Sequence, residues 1–230
     1  MGAHRDSFGT LDFLRNLPLF RELDLCQLEA IAAATTEQRV AAGAALFRRG
    51  EPCDGMHVIV VGRVKLASLA PAGAEKVIEI LGTGQSFGEA VMFIGRPYNL
   101  FAEALADSLL LYIGKHAIFE AVASNPEFAR RMLNELAQRQ CRLVADIEAY
   151  TMRSATERVI GFLLAALTED PSPGQDVVLA ASKSVLASRL NITREHFSRI
   201  LHDLSQAGLI RVSGRKIHIL DRAGLRQRDS

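Results

Sequence analysis

SKSVLASRLNITREHFSRILHDLSQAGLI, residues 182–210, has the spacing of two short helices joined by a tight turn. The small Ala187 lets a second helix cross the first closely. Asn191 follows four residues later, where such a turn requires a left-handed residue, and Asn tolerates that conformation best among the non-glycine residues. Thr193 is then placed to cap the second helix. The apolar residues predicted to face a common core are Val185, Leu186, Leu190, Ile192, Phe197, Leu201 and Leu204. The stretch therefore predicts a helix-turn-helix.

The opposite face of the second helix is polar and carries side chains suited to reading base edges. Arginine presents a fork to guanine O6 and N7, glutamate accepts from cytosine N4, and serine contacts either a base or a phosphate. The alternative is a solvated surface helix, but it does not explain why the small residue, the turn Asn and the plugging Ile192 occur together. The predicted DNA-reading residues are Arg194, Glu195, Ser198, Arg199 and His202.

A second DNA-contacting element is predicted just after these helices. LIRVSGRKIHIL, residues 209–220, has the pattern of a β-hairpin with Ser213-Gly214 at its turn. Arg215 and Lys216 at the tip of this wing are candidates for phosphate contacts, which position a protein on DNA without specifying sequence. Residues 182–230 contain ten Lys or Arg and four Asp or Glu, a net charge of +6, although the whole chain has only +1. This basic segment indicates a polyanionic partner.

A long amphipathic helix is predicted over residues 125–152, before the DNA-binding segment. Its apolar positions recur at alternating spacings of four and three residues, which is typical of a coiled-coil seam, and no Gly or Pro interrupts them. The alternative is a helix packed only on its own domain, but the strict seam favours a homodimer, and Gln140 would fix its register. The predicted dimer interface consists of Ala129, Leu133, Leu136, Gln140, Leu143, Ile147 and Tyr150.

The segment before this helix, about residues 40–120, has short β-branched runs separated by glycines, a pattern typical of a β-sandwich or barrel. After the helix, Ser154 and Glu157 form a capping-box pattern that predicts a new helix.

No stretch approaches the roughly 20 apolar residues that a membrane span needs, and the charged first thirty residues argue against a signal peptide. Three scattered cysteines favour the cytoplasm. The sequence also has no Ser/His/Asp set, no Gly-rich phosphate loop and no paired metal-ligand spacing, which argues against an enzyme.

The order of these segments resembles the Crp/Fnr family of bacterial transcription regulators over nearly the whole chain. The most specific motifs are GAALFRRGEP, VVGRVKL and FGEA in the β segment and TREHFSRIL in the second helix of the helix-turn-helix. The resemblance implies an α+β fold in three segments. Residues 1–124 would form an effector-sensing jelly-roll β-barrel with short flanking helices, residues 125–152 a dimerisation helix, and residues 153–230 a winged helix-turn-helix. In the family, effector binding between barrel and central helix reorients the DNA-binding domains, and RNA polymerase is an expected partner.

The resemblance also implies which DNA is read. Glu195, Ser198 and Arg199 match the Glu-x-x-Ser-Arg signature of Fnr-type regulators, which read TTGAT-type half-sites. Arg194 departs from that branch and is similar to the Crp branch, where an arginine at this place reads guanine. The expected operator is therefore a palindrome of double-stranded DNA whose half-sites share a TGA-like core.

The same resemblance argues against cyclic AMP as the effector. Family members that bind cyclic AMP use a Glu for the ribose, an Arg-Ser pair for the phosphate and a Thr-Ser pair for the adenine. Glu89 matches the Glu, but Asn99-Leu100 and Leu143-Val144 stand in place of the two pairs. Burying a phosphate beside leucines without a cation costs several kcal/mol. A cyclic nucleotide held by other contacts, or no effector, remain the alternatives.

The segment FGEAVMFIGRPYNLFAEA, residues 87–104, resembles the Dnr-like branch, which responds to nitric oxide through haem. This resemblance implies a haem cofactor, with His57 and His116 as candidate iron ligands, although a lone histidine is more often structural and an apolar stripe is more often core. A protein of another class, an enzyme or haem-redox protein whose C-terminal domain docks a protein, is the remaining alternative. The predicted effector pocket consists of Glu89, Met92, Phe93, Asn99, Leu100, Phe101, Leu143 and Val144.

Overall fold

The structure, a computed structural model, describes residues 9–70, 73–167 and 176–228. The chain forms two compact units. The first unit comprises Met1–Ser68 and Ile78–Cys141, and the second comprises Leu69–Val77 and Arg142–Ser230. The division falls inside the central helix, which we predicted from the sequence as a segment of its own.

The first unit is a β-structure flanked by short helices, and two of its strands and the long helix that follows them continue into the second unit. Among the described residues its helices are α1 (Thr10–Asn16), α2 (Leu25–Ala33), α3 (Glu89–Phe93) and α4 (Lys115–Ser124), with a 3-10 turn at Pro18–Phe20. Its strands are β1 (Thr35–Val40), β2 (Ala45–Phe47), β3 (Gly55–Val61), β4 (Arg63–Leu69), β5 (Glu75–Gly82), β6 (Ser86–Phe87), β7 (Phe101–Ala104) and β8 (Ser108–Gly114). The long helix α5 (Pro126–Met152) follows them. None of the helices in the described ranges is long and apolar enough to cross a membrane.

The strands form two four-stranded sheets. Their strand orders are β1-β8-β3-β6 and β2-β7-β4-β5, and neighbours such as β3 and β8 pair antiparallel. The predicted jelly-roll β domain is confirmed, but its sheets do not close into a barrel. Strand β3, GMHVIVV, is buried except at its last residue, because its β-branched residues fit a pleated surface that is covered on both faces.

The first half of α5 packs on this β-structure. The Asn125 side chain accepts from the Phe128 backbone N–H at 3.0 Å and so caps the helix start. Phe128 and Met132 are buried, and the Phe128 ring stacks on Phe20 with centroids 5.8 Å apart. A long helix with no internal Gly or Pro is therefore anchored at its beginning by a few apolar side chains.

The second unit contains the winged helix-turn-helix. Its elements are α6 (Ala155–Ala165), β9 (Asp176–Val178), α7 (Lys183–Arg189), α8 (Arg194–Gln206), β10 (Ile210–Ser213), β11 (Lys216–Ile219) and α9 (Arg222–Gln227). The predicted capping box is confirmed: the Glu157 N–H donates to Ser154 Oγ at 3.2 Å, and the Ser154 N–H donates to Glu157 Oε2 at 2.6 Å. The side chains of Val159, Phe197 and Leu225, from three different helices, are fully buried in this unit.

Within the second unit, polar side chains satisfy the carbonyl groups at the C-terminal end of α7. Lys76 Nζ donates to the Ser188 carbonyl at 2.7 Å, and the Tyr150 hydroxyl donates to the Arg189 carbonyl at 2.5 Å. Lys76 also lies over the Tyr150 ring, and burial lowers the pKa of Lys76 to about 8. Tyr150, predicted in the dimer seam, is therefore engaged by its own chain.

Candidate functional site

The turn between α7 and α8 has the predicted backbone geometry. Asn191 has φ 58° and is the one non-glycine residue with positive φ in the described part of the chain. Thr193 caps α8, because its hydroxyl accepts from the His196 N–H at 3.2 Å. Ser182 likewise caps α7. These local contacts fix how the second helix leaves the turn, and hence which of its residues face outward.

Helix α8 is strongly two-sided. Its apolar residues form the inner face, consisting of Phe197, Ile200, Leu201 and Leu204, all of which are buried. Ser198 is half-buried, and the other predicted reading residues of the helix, Arg194, Glu195, Arg199 and His202, are exposed. His196, which the sequence reasoning did not single out, is also exposed in the first turn. The first two turns of α8 therefore present a polar, cation-rich surface that suits a DNA major groove.

The wing has the predicted hairpin with one additional strand. Gly214 has φ 60° at the turn, and β10 pairs with β11 from Ile210↔Ile219 to Ser213↔Lys216. Strand β9 adds a third strand on the other side of β11. Lys216 is exposed at the tip, whereas the Arg215 guanidinium donates to the Leu179 carbonyl at 3.0 Å. Of the two predicted phosphate contacts, Lys216 is thus the less engaged by its own chain.

The predicted dimer seam on α5 is largely exposed to solvent. Leu133 is 66% exposed and Ile147 is 62% exposed, which is unusual for large aliphatic side chains that lie on one stripe of a helix. Gln140 and Leu143 are also exposed, and Ala129, Leu136 and Tyr150 are half-buried. The described residues therefore leave Leu133 and Ile147 of this seam largely uncovered.

At the start of α3, Glu89 is buried beside an arginine. Gly88, with φ 96°, allows the sharp entry into α3, and Glu89 is 4% exposed. Arg139 from α5 donates through Nη1 to Glu89 Oε1 at 2.8 Å, and its Nη2 lies 2.6 Å from Glu79 Oε2 on β5. The second carboxylate oxygen of Glu89, Oε2, is buried and has no hydrogen-bond partner within the described structure. The predicted ribose-binding residue, Glu89, is therefore paired with an arginine that it shares with Glu79.

The other predicted pocket residues have different surroundings. Met92 is buried in the core, and the half-buried Phe93 stacks on Phe119 of α4, with centroids 5.5 Å apart. Phe101 is half-buried with Lys65 Nζ 5.8 Å from its ring centroid. Asn99 is exposed and Leu100 is half-buried. Leu143 and Val144 are exposed and lie on the part of α5 that belongs to the second unit.

The histidines predicted as iron ligands do not fit haem. His57 is 4% exposed, and its ring is surrounded by those of Phe87, Tyr112 and Phe47, with centroid separations of 4.9, 4.9 and 5.6 Å. A porphyrin would need the space that these rings occupy. His57 Nδ1 has no hydrogen-bond partner among the described residues, whereas metal-bound histidines are oriented by such a partner, and burial lowers the His57 pKa to about 4. His116 is exposed and pairs with Glu120. The described residues contain no group of three or more His, Cys, Asp or Glu that could hold a metal ion.

Sequence reasoning missed Arg139 and Glu79. The two residues are 60 positions apart and belong to different elements, so no local spacing connects them. The available signal was the helix period, because Arg139 lies four residues before Leu143 and therefore on the same face of α5. A charged residue on the face predicted to meet the effector was a candidate that the seam analysis overlooked.

Two family descriptions match the chain: "Cyclic nucleotide-binding domain" over residues 37–125 and "Crp-like helix-turn-helix domain" over residues 157–228. A Mycobacterium tuberculosis protein named CRP-like cAMP-activated global transcriptional regulator is 26% identical over 205 residues, 86% of this chain and 92% of that protein. The crystal structure of DNR from Pseudomonas aeruginosa is 33% identical and covers 94% of this chain and 96% of that one, with a TM-score of 0.50. FixK2 from Bradyrhizobium japonicum has the same fold, with a TM-score of 0.77, 24% identity and coverage of 85% and 98%. The fold, the helix-turn-helix and these similarities together establish that the chain belongs to the Crp/Fnr family of transcription regulators.

Proposed function

We propose that this Crp/Fnr-family DNA-binding regulator acts in the cytoplasm as a homodimer and reads a palindromic operator with TGA-like half-site cores. An effector that binds near Glu89 controls this DNA binding. The observation that carries the proposal is the two-sided helix α8, which presents Arg194, Glu195 and Arg199 to solvent from a correctly capped helix-turn-helix. RNA polymerase is the expected further partner on the grounds of the family resemblance.

The homodimer is supported by the exposed seam on α5. Leu133, Leu143 and Ile147 lie on one helical stripe, and Leu133 and Ile147 are more than half exposed in the described structure. Since a two-fold dimer brings two copies of α8 to one side of the molecule, it also accounts for a palindromic operator with half-sites one helical turn apart.

DNA binding by two charge variants tests the reading assignment. The measurement is fluorescence anisotropy on a duplex with two TGA cores one helical turn apart and on a duplex with the cores scrambled. Arg199→Ala should lose about 1–3 kcal/mol of discrimination between the duplexes, because its hydrogen bonds to a base are removed. Lys216→Ala, the matched control, should weaken binding to both duplexes alike and reduce the salt slope by about 0.9 for each phosphate that the lysine neutralises. Equal affinity of the wild-type protein for both duplexes would contradict the proposal.

Nitric oxide or redox sensing through haem, in nitrogen-oxide or anaerobic metabolism, is a second candidate for the effector. It is favoured by the 33% identity to DNR and by the motif in residues 87–104. The surroundings of His57 and His116 give haem no fitting ligand. Titration of purified protein with haem decides this question: a saturable Soret band that shifts with nitric oxide would support the candidate, and its absence would remove it.

A further inference from the structure

The ion pairs around Arg139 leave one buried carboxylate oxygen without a hydrogen-bond donor among the described residues. The two terminal nitrogens of Arg139 are divided between Glu89 and Glu79, so neither carboxylate receives both of them. The three side chains are 6–16% exposed. Glu89 Oε2 remains buried without a hydrogen-bond partner among the described residues. A buried carboxylate oxygen left unpaired is costly, and a ligand that donates a hydrogen bond or carries a positive charge would relieve this cost.

An anionic ligand would find no cationic side chain at the two positions predicted for the phosphate contacts. Asn99 and Leu100, which stand where the family's phosphate-binding pair lies, are uncharged. The nearly buried Lys65 is paired with Glu103 at 3.1 Å. A phosphate that drew on Arg139 would leave Glu79 and Glu89 buried without this partner. Taken together, the contacts favour a cation over an anion as the added group.

We propose that Glu79 and Glu89 form a recognition site for the amino or guanidino group of a small ligand that carries no phosphate, and that Arg139 occupies this site when the ligand is absent. Because Arg139 belongs to α5, a ligand that takes its place changes the contacts between α5 and the β-structure. The regulatory consequence rests on the proposed function, whereas the binding site does not.

Agmatine, which carries a guanidino and an amino group and no acid, is the probe for this site. Calorimetric titration of the full-length wild-type protein should give weak binding, because tethered Arg139 competes at a high effective concentration. Arg139→Gln keeps most of the side-chain volume but removes the charge, and it should bind agmatine about tenfold more tightly. Gln138→Ala, which changes an exposed neighbour on α5, is the matched control and should behave as the wild type does.

Further variants make the result decisive. The double variant Glu89→Gln/Arg139→Gln should lose the gained agmatine affinity, and cyclic AMP should bind none of these proteins. If Arg139→Gln fails to fold in a thermal melt, Arg139→Lys replaces it and should show a smaller gain, because one ammonium group cannot hold both carboxylates. Agmatine binding that does not increase on loss of Arg139, or that persists without Glu89, would overturn the proposal. So would cyclic AMP binding that depends on Arg139. The titration uses no DNA, so its outcome is independent of whether the protein binds an operator.

Discussion

At the scale of single residues, Asn191 decides the geometry of the DNA-reading helix. Its φ of 58° is a left-handed conformation that costs most L-residues about 1–2 kcal/mol. We expect Asn191→Ala to destabilise the protein by about 1 kcal/mol and Asn191→Gly to retain wild-type stability, since Gly adopts positive φ freely. Urea unfolding of the full-length protein measures both, with Asn134→Ala on the exposed surface of α5 as a control that should cost nothing. Equal stability of the Ala and Gly variants would contradict a strained turn.

His57 makes stability depend on pH in a defined direction. Burial lowers its pKa from 6.5 to about 4, so the folded protein holds the neutral ring where the unfolded chain is already protonated. The stability contributed by this neutral ring is complete above about pH 6.5 and is lost as the pH falls to about 4, by up to about 3 kcal/mol. His57→Phe preserves the aromatic packing and should flatten this part of the profile. The check is the free energy of unfolding between pH 7.5 and 4, and parallel profiles for the two proteins would argue against the assignment.

Residue-level features were predictable where the controlling contact is local. Asn191, Thr193 and the Ser154–Glu157 box act over at most four residues, and their spacing is visible in the sequence. The ion pairs of Arg139 with Glu79 and Glu89 form only when α5 packs on β5 and α3, so no short-range sequence pattern predicts them.

At the scale of elements, the seam of α5 exposes apolar side chains that a second copy of the chain would cover. Leu133→Glu and Ile147→Glu place charges on apolar positions that are exposed in the single chain, so they should leave the fold intact. In the dimer the same carboxylates would be buried without a cation, and we expect each change to weaken association by about 3 kcal/mol or more. Sedimentation velocity measures the effect, and Gln138→Glu on the opposite face of the helix is the charge-matched control. Dimers that persist in both seam variants would move the interface away from α5.

The period of α5 predicted the helix but not all of its contacts. A 3.5-residue repeat identifies a stripe, whereas the partner of each side chain in the stripe depends on distant segments. Tyr150 illustrates the difference, because its hydroxyl is bonded to the Arg189 carbonyl and Lys76 covers its ring. We therefore expect the seam to weaken toward the end of the helix.

At the scale of the whole molecule, the order of the segments was readable because each carries its own signature: glycine-separated β runs, a heptad seam, and a helix-turn-helix followed by a hairpin. The sequence could not establish whether the sheets close, because closure depends on pairing between edge strands far apart in the chain. The β-structure of the first unit has two open sheets instead of a barrel. Strand β9 was also missed, since its three residues are too few to carry a period.

The concentration of positive charge in residues 182–230 and the exposed face of α8 lead us to expect that this protein binds a specific palindromic DNA sequence as a dimer. The most direct test is selection of bound duplexes from a random-sequence DNA library by the purified protein, followed by sequencing. We expect enrichment of an inverted repeat with TGA-like cores separated by one helical turn, and loss of the enriched core when Arg199→Ala is used. A library that is retained without any enriched sequence, or an enriched site with no two-fold symmetry, would contradict it.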